Sequence, residues 1–314
     1  MTSTISPTAD RSAPSNTGAT RPLSTRFVAV ALAALGLLGL NEARATTTYA
    51  YARVQLSGLP TVIDEREGGS AGAQAGASLQ IGSAASFVSG SASAGASVGG
   101  VNVQTRADAN IGSSVDGVSA AQWADGFTII ALGHAPGTMG TFTAAVGVSG
   151  SLIADAETAL ADSFITAEFR LDTAVNNGNF IATGGGRRTV GGSLPAFSGQ
   201  ENFQLIFENV PFEFGRPISV TLRLNDASQA IAFNNGGFAR ARANYGQSMT
   251  WAGMSNLRDA AGNPISAFNA LSTTSGFDFA NAAPVPEPAS VGLLLLGLSA
   301  VAWQIKRRPK AGRS

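Results

Sequence analysis

The 314-residue chain has no cysteine, a single histidine and no lysine before residue 306. No disulfide can staple it, no thiol can serve as nucleophile or metal ligand, and no lysine outside the C-terminal tail can form a Schiff base or an isopeptide cross-link. Charged side chains are only 13% of the residues. No stretch between residues 46 and 285 sustains a 3.6-residue hydrophobic period, which argues against a helical architecture. Those residues carry 17 acidic side chains against 11 basic ones, all arginine, for a net charge of about −6. That balance disfavours nucleic acid and anionic membrane surfaces as partners.

What the chain does have is period-two alternation. Val101, Val103, Thr105, Ala107 and Ala109 alternate with Asn102, Gln104, Arg106, Asp108 and Asn110, the pattern of a half-buried strand. Ala92, Ala94, Ala96 and Val98 alternate just upstream, and the parity changes across Gly99-Gly100. A tight turn requires that change, so 84–112 reads as a long hairpin. The same pattern marks strands around 165–172, 218–225 and 239–244, with further strands at 142–148 and 203–207. Residues 156–162 read as one or two helical turns. Gly, Asn and Asp punctuate the remainder. Ten or more antiparallel strands predict an all-β, two-sheet sandwich of jelly-roll type. Residues 68–100 are low in complexity: 26 of 33 are Gly, Ala or Ser. They read as a closely packed hairpin or a mobile insertion, with a flat self-associating β edge as the sharper alternative.

Both ends read differently. Arg21 and Arg26 precede an apolar run over 27–40, followed by Ala43-Arg44-Ala45, which is the arrangement of a signal peptide cut after Ala45. Residues 1–20 are an extended n-region or lie upstream of the true start. At the other end Pro286-Glu287-Pro288 precedes an apolar run over 291–305 and a basic cluster, Lys306, Arg307 and Arg308, with Lys310 and Arg313 beyond. An apolar span stopped by cations is a stop-transfer arrangement. At ~1.5 Å per residue the run is roughly 22 Å long as a helix, short for a ~30 Å hydrocarbon core.

This tripartite tail resembles the PEP-CTERM sorting signal of exported proteins from Gram-negative bacteria that make exopolysaccharide. The resemblance implies recognition and removal by an exosortase; an uncut membrane anchor is the alternative. Residues 244–254, the turn Asp259 to Pro264, and Ser275-Gly276-Phe277-Asp278-Phe279 also resemble the last strands of PEP-CTERM surface proteins, although Ala252 separates Trp251 from Gly253. The expected organisation is a signal peptide over 1–45, a β-sandwich over 46–283, and a sorting tail over 284–314 with a single apolar helix at 291–305.

Catalytic signals are weak. Gly95-Ala96-Ser97-Val98-Gly99 matches the G-x-S-x-G pattern, but a nucleophile elbow needs a strand-to-helix turn and a histidine base, and His134 is the sole histidine. That histidine sits in loop-type sequence and has no second histidine to share a metal with. Carboxylates that could pair for glycoside hydrolysis are Asp64, Glu65 and Glu67; Glu168 and Asp172; Glu208 and Glu213. No cofactor is expected. Calcium is the conceivable ion, with Asp125, Asp226, Asp259 and Asn263 as candidate ligands in turns and Asn225 beside them. Trp123, Trp251, Tyr245, Tyr49 and Tyr51 are the aromatics available to a sugar, with burial the default for both Trp. Arg240 and Arg242 share a strand face that can meet an acidic polysaccharide.

Taken together, these features predict a non-enzymatic, exported surface or matrix protein with a structural or adhesive role in exopolysaccharide. Its expected partners are signal peptidase, exosortase, the inner membrane transiently, and the polysaccharide. A carbohydrate-binding module, with calcium or without, is the second reading; a glycan hydrolase is the third.

Overall fold

The computed structural model describes residues 46–283 apart from 84–85, 111, 176–177, 192–195 and 234–236. The predicted signal peptide with Ala43 and Ala45, the Pro286-Glu287-Pro288 motif, the apolar run and the basic cluster all lie outside the described residues. Among the described residues no helix is long and apolar enough to cross a membrane.

Seven strands form one sheet: β1 (Thr47–Leu56), β2 (Val62–Gly68), β6 (Ser114–Thr128), β10 (Ala159–Thr173), β11 (Asn179–Val190), β12 (Ala196–Gly199) and β14 (Pro217–Ala232). Their spatial order is β12-β11-β10-β14-β6-β1-β2. A second sheet holds β3 (Ala73–Ser83), β4 (Ser86–Ser97), β5 (Gly100–Asn110), β8 (Met139–Val148), β9 (Ser151–Glu157), β13 (Phe203–Glu213) and β15 (Phe238–Asp259). Its order is β13-β8-β15-β5-β4-β3, with β9 continuing the line of β8 along β15. A short ribbon pairs β7 (Ile130–Ala131) with β16 (Phe268–Asn269). The expected all-β antiparallel sandwich is there, and the 84–112 hairpin is β4 and β5 joined through Val98 and Gly99.

Two expectations are corrected. The strand order is not that of a jelly roll, in which successive strands alternate between sheets. Here β3-β4-β5 and β10-β11-β12 are meanders within one sheet, each strand pairing with the next through a short turn. Residues 156–162 form no helical turns. They end β9 and start β10, with Thr158 at φ 51° making the reversal. Ala159 and Ala161 face the core while Asp162 faces out to accept a hydrogen bond from Arg187 Nε at 2.9 Å. Period two wins over helix propensity once those alanines have a sheet to pack on.

The Gly/Ala/Ser-rich stretch is core. Ala75, Ala77, Ala92, Ala94 and Ala96 are buried, and small side chains let the sheets approach closely. A Cβ built on Gly90 of β4 would lie 2.7 Å from methyls of both Val54 and Val115 in the opposite sheet, so even one methyl would force a repacking of about 1–3 kcal/mol. On β3, the outer strand, the Gly76 amide donates to Asp64 Oδ2 at 2.9 Å. That carboxylate from β2 blocks part of the free edge. Around Trp123 and Trp251 the space between the sheets is filled instead by rings: Phe279 stacks on Phe127 at 4.2 Å and meets Trp251 edge-on at 5.3 Å.

A few polar groups cross the interior. Thr105 and Ser228 share a hydrogen bond of 2.8 Å between sheets, and Ser119 donates to the fully buried Asp226. Burial holds the Asp226 carboxyl well above the usual carboxylate range, with hydrogen bonds from Ser119 and Thr105 opposing the shift. Its Oδ2 has no hydrogen-bond partner. The native state thus retains a proton that the unfolded chain loses above its ordinary pKa of about 3.9. Stability falls as pH rises from that value towards the native one. Asp226→Asn removes this dependence. Urea unfolding should show the variant more stable than the parent at neutral pH by roughly 1 kcal/mol or more, with most of the advantage gone near pH ~4.

Candidate anion-binding face

Among the described residues, the outward face of the second sheet carries the cluster of cations that stands out. On β5, Ala107 and Ala109 point into the core, so Arg106 and Asp108 point out; on β15, Ala239, Ala241 and Ala243 do the same for Arg240 and Arg242. The register sets Arg240 opposite Asp108 and Arg242 opposite Arg106. Asp108 is nearly buried under the three guanidiniums. Arg106 Nε bonds it directly, Arg240 Nε lies 3.1 Å from Oδ1 and Arg242 Nη2 lies 3.9 Å away. The three arginines themselves remain 36–49% exposed.

Elsewhere arginines and carboxylates are matched more evenly. Arg53 bonds Asp116, Arg66 bonds Asp64, Arg170 bonds Asp172, Arg187 bonds Asp162, Arg188 bonds Glu201, Arg216 bonds Glu213 and Arg223 lies near Glu168. Arg258 donates to the Gly262 carbonyl at 2.8 Å. Among the described residues, only at Asp108 do three cations share one anion. Asp155 on β9 sits across from Arg240 in the register and trims the excess, while Ile153 lies across from Arg242 and Ser91 across from Arg106. Along a strand, same-face residues are about 6.6–6.8 Å apart, and neighbouring strands lie about 4.8 Å apart. The guanidiniums therefore form a small triangle whose planar forks suit carboxylate or sulfate groups.

The other residues singled out from the sequence are scattered. Ser97 ends β4 and the chain returns as β5, so the Gly95–Gly99 match has no strand-to-helix elbow. His134 stacks on Phe214 at 4.8 Å in the loop after β7. Glu168 and Asp172 each lie beside an arginine, Glu213 pairs with Arg216, and Glu208 is exposed on β13. Asp64 holds Arg66 and the Gly76 amide, and Glu65 accepts from the Tyr49 hydroxyl at 3.0 Å. Burial first, then that bond, raises the Tyr49 phenol above its ordinary value. Both Trp123 and Trp251 are fully buried, as is Tyr245; Tyr51 is partly exposed.

The four calcium candidates do not converge. Asp125 accepts from Thr46 Oγ1 at 3.0 Å, Ser272 Oγ at 2.9 Å, the Gly126 amide at 2.8 Å, and Ser275 Oγ. Asp226 lies in the core, and Asn225 reaches Thr166 at 3.4 Å. Asp259 ties its own turn by accepting from the Ala261 and Asn263 amides at 2.9 and 2.8 Å and from Asn263 Nδ2 at 2.9 Å. The Asn263 bonds hold its carboxyl below the usual range. Among the described residues no three His, Cys, Asp or Glu side chains group as a metal site.

The contribution of Arg106 and Asp108 was not visible from sequence. Their alternation on β5 is plain, but nothing in the chain shows that β5 pairs with a strand some 130 positions later.

Residues 284–308 match the model of the PEP-CTERM protein-sorting motif. No curated protein and no solved structure matches the chain.

Because Asp108 is buried and its partners are half in water, removing its charge leaves three cations facing one another. Asp108→Asn should lower stability by about 2 kcal/mol at low salt, and the loss should shrink at high salt as the arginines are screened. Urea midpoints at the two ionic strengths measure this.

Proposed function

We infer, from the PEP-CTERM protein-sorting motif that this chain carries, that it is a non-catalytic structural or adhesive protein of the extracellular matrix, bound to acidic exopolysaccharide through the Arg106–Arg240–Arg242 face. The motif implies processing by an exosortase and export to the cell envelope or surface. Signal peptidase removes residues 1–45, the run over 291–305 holds the chain in the inner membrane for a time, and exosortase releases the sandwich near Pro286-Glu287-Pro288.

The observation that carries the ligand assignment is the sharing of one carboxylate by three exposed guanidiniums on a domain that is acidic elsewhere. Net charge opposes unspecific attraction to polyanions, so binding there must come from the local cluster. A sheet face bearing forked donors suits a linear polymer with repeating carboxylates or sulfates. It does not suit hydrolysis, which needs two carboxyls facing each other across a cleft. The alternative reading as a lectin-like module shares the ligand class and differs in resting on aromatic stacking, for which Tyr51 offers partial exposure.

Purified mature domain, residues 46–283, should bind the host's exopolysaccharide saturably, with calcium or with chelator alike. Replacing Arg106, Arg240 and Arg242 together by Gln should weaken binding by at least about tenfold, a change of ~1.4 kcal/mol, and added salt should do the same to the parent. Equal binding of a carboxyl-reduced polysaccharide, or full binding by the triple variant, would remove this assignment.

A further inference from the structure

One end of the sandwich exposes apolar side chains that the fold presents rather than hides. In and beside β7, Ile129 and Ala131 point inward and are buried, so Ile130 and Leu132 point out; they are 61% and 99% exposed. Leu271, two residues beyond the partner of Ile130 on β16, is 43% exposed, and Met139 at the start of β8 is 38% exposed. Leu132 is not on a loose loop. The His134 amide bonds the Ala131 carbonyl at 3.3 Å, Gly137 N bonds Phe214 O at 2.8 Å and Gly215 N bonds Ile129 O at 2.9 Å. Isolated exposed leucines are ordinary; several apolar residues gathered on one ribbon and its adjoining loop are not.

The position of this tip relative to the sorting tail says what covers it. The strand β16 opens the terminal segment, which is fixed through Phe279 N to Ala270 O at 2.9 Å and ends with Ala283 N on Trp251 O at 2.8 Å. Val291, the first residue of the apolar run, is eight residues further on. Fully extended, that length spans at most about 28 Å. Trp251 lies level with Val146, seven residues along β8 from Met139 and further still from the opposite end of β15 at Phe238; of the two ends of the sandwich, the one that carries the ribbon is therefore the nearer to a bilayer that receives the run.

We propose that Ile130, Leu132, Leu271 and Met139 form a lipid-contacting tip, seated in the interface of the membrane that holds the uncleaved tail. This rests on the reading that residues 291–305 enter the membrane. The tip sets the sandwich upright. Residue 115 of β6, opposite Leu56, lies roughly 45 Å from Ile129 at ~3.3 Å per residue, so the β1–β2 turn with Leu59 points away from the lipid. The arginine face is likewise raised. Asp108 is eight residues along β5 from the turn at Gly99 and Gly100, on which Phe277 and Ala283 pack, a distance of roughly 27 Å.

The absence of cysteine makes the test direct. The full chain with Leu132→Cys or Leu59→Cys is labelled with a polarity-sensitive dye and reconstituted in phosphatidylethanolamine–phosphatidylglycerol vesicles containing a quencher-bearing lipid. The label at 132 should be quenched several-fold more than the label at 59. A label at Leu271→Cys should lose that quenching when Ile130→Ser and Leu132→Ser are combined, with the chain still on the vesicles. Vesicle-bound chain with the 132 label as water-exposed as the 59 label overturns the tip and leaves the anchor. Chain that does not bind vesicles overturns the anchor, and the tip with it. Shielding of the 132 label in vesicle-free protein would assign the tip to a second copy instead.

Discussion

The carboxylate of Asp125 is the point on which the architecture turns. It sits buried at the end of β6 and accepts hydrogen bonds from Thr46 at the start of the domain and from Ser272 and Ser275 near its close. Hydrogen bonds to a charged acceptor contribute about 1.5–3 kcal/mol each, and three of these join segments 79, 147 and 150 residues distant in sequence. In a chain without cysteine this clamp does what a disulfide would do at the same place. It also sets Phe277 and Phe279 against Trp123, which stacks on Phe279 at 5.7 Å. The aromatic end of the core depends on the terminal segment being in place.

At the other side of the sandwich the constraint is the reverse, a lack of side-chain volume. Alanine and glycine on β3, β4 and β5 let the sheets close until Gly90 touches Val54 and Val115. The pairing of β5 with β15 then brings Arg240 to Asp108. The arginine face is a consequence of strand register: shifting β5 by one residue would turn Arg106 and Asp108 inward. Low complexity here marks close packing, and the serines of β4 that alternate with its alanines form part of the outer face.

Much of the strand content was legible because alternation survives in sequence, as at 101–110, 165–172 and 218–225. Residues 156–162 misled because Ala, Glu and Leu favour helix and only tertiary contact reveals the strand. The unity of β15 was hidden by its irregularities, between Tyr245 and Met249 against β5 and at Trp251/Gly253 and Ser255/Arg258 against β8. Sheet order was not legible, since pairings such as β1 with β6 depend on contacts far apart in the chain. For the same reason Arg240 and Arg242 were found as a pair while Arg106 and Asp108 were missed. Asp125 was noticed for its oxygens, but the hydroxyls that fill them come from both ends of the domain.

The most direct measurement of this account is native-state amide hydrogen exchange across the terminal segment. The amides of Phe279 and Ala283, bonded to Ala270 and Trp251, should exchange only with global unfolding, at the same free energy as the central strands β6 and β14. In Asp125→Ala the whole domain should lose protection together. Fast exchange at Phe279 and Ala283 beside fully protected sheets would contradict the claim, showing that the sandwich stands without its clamp.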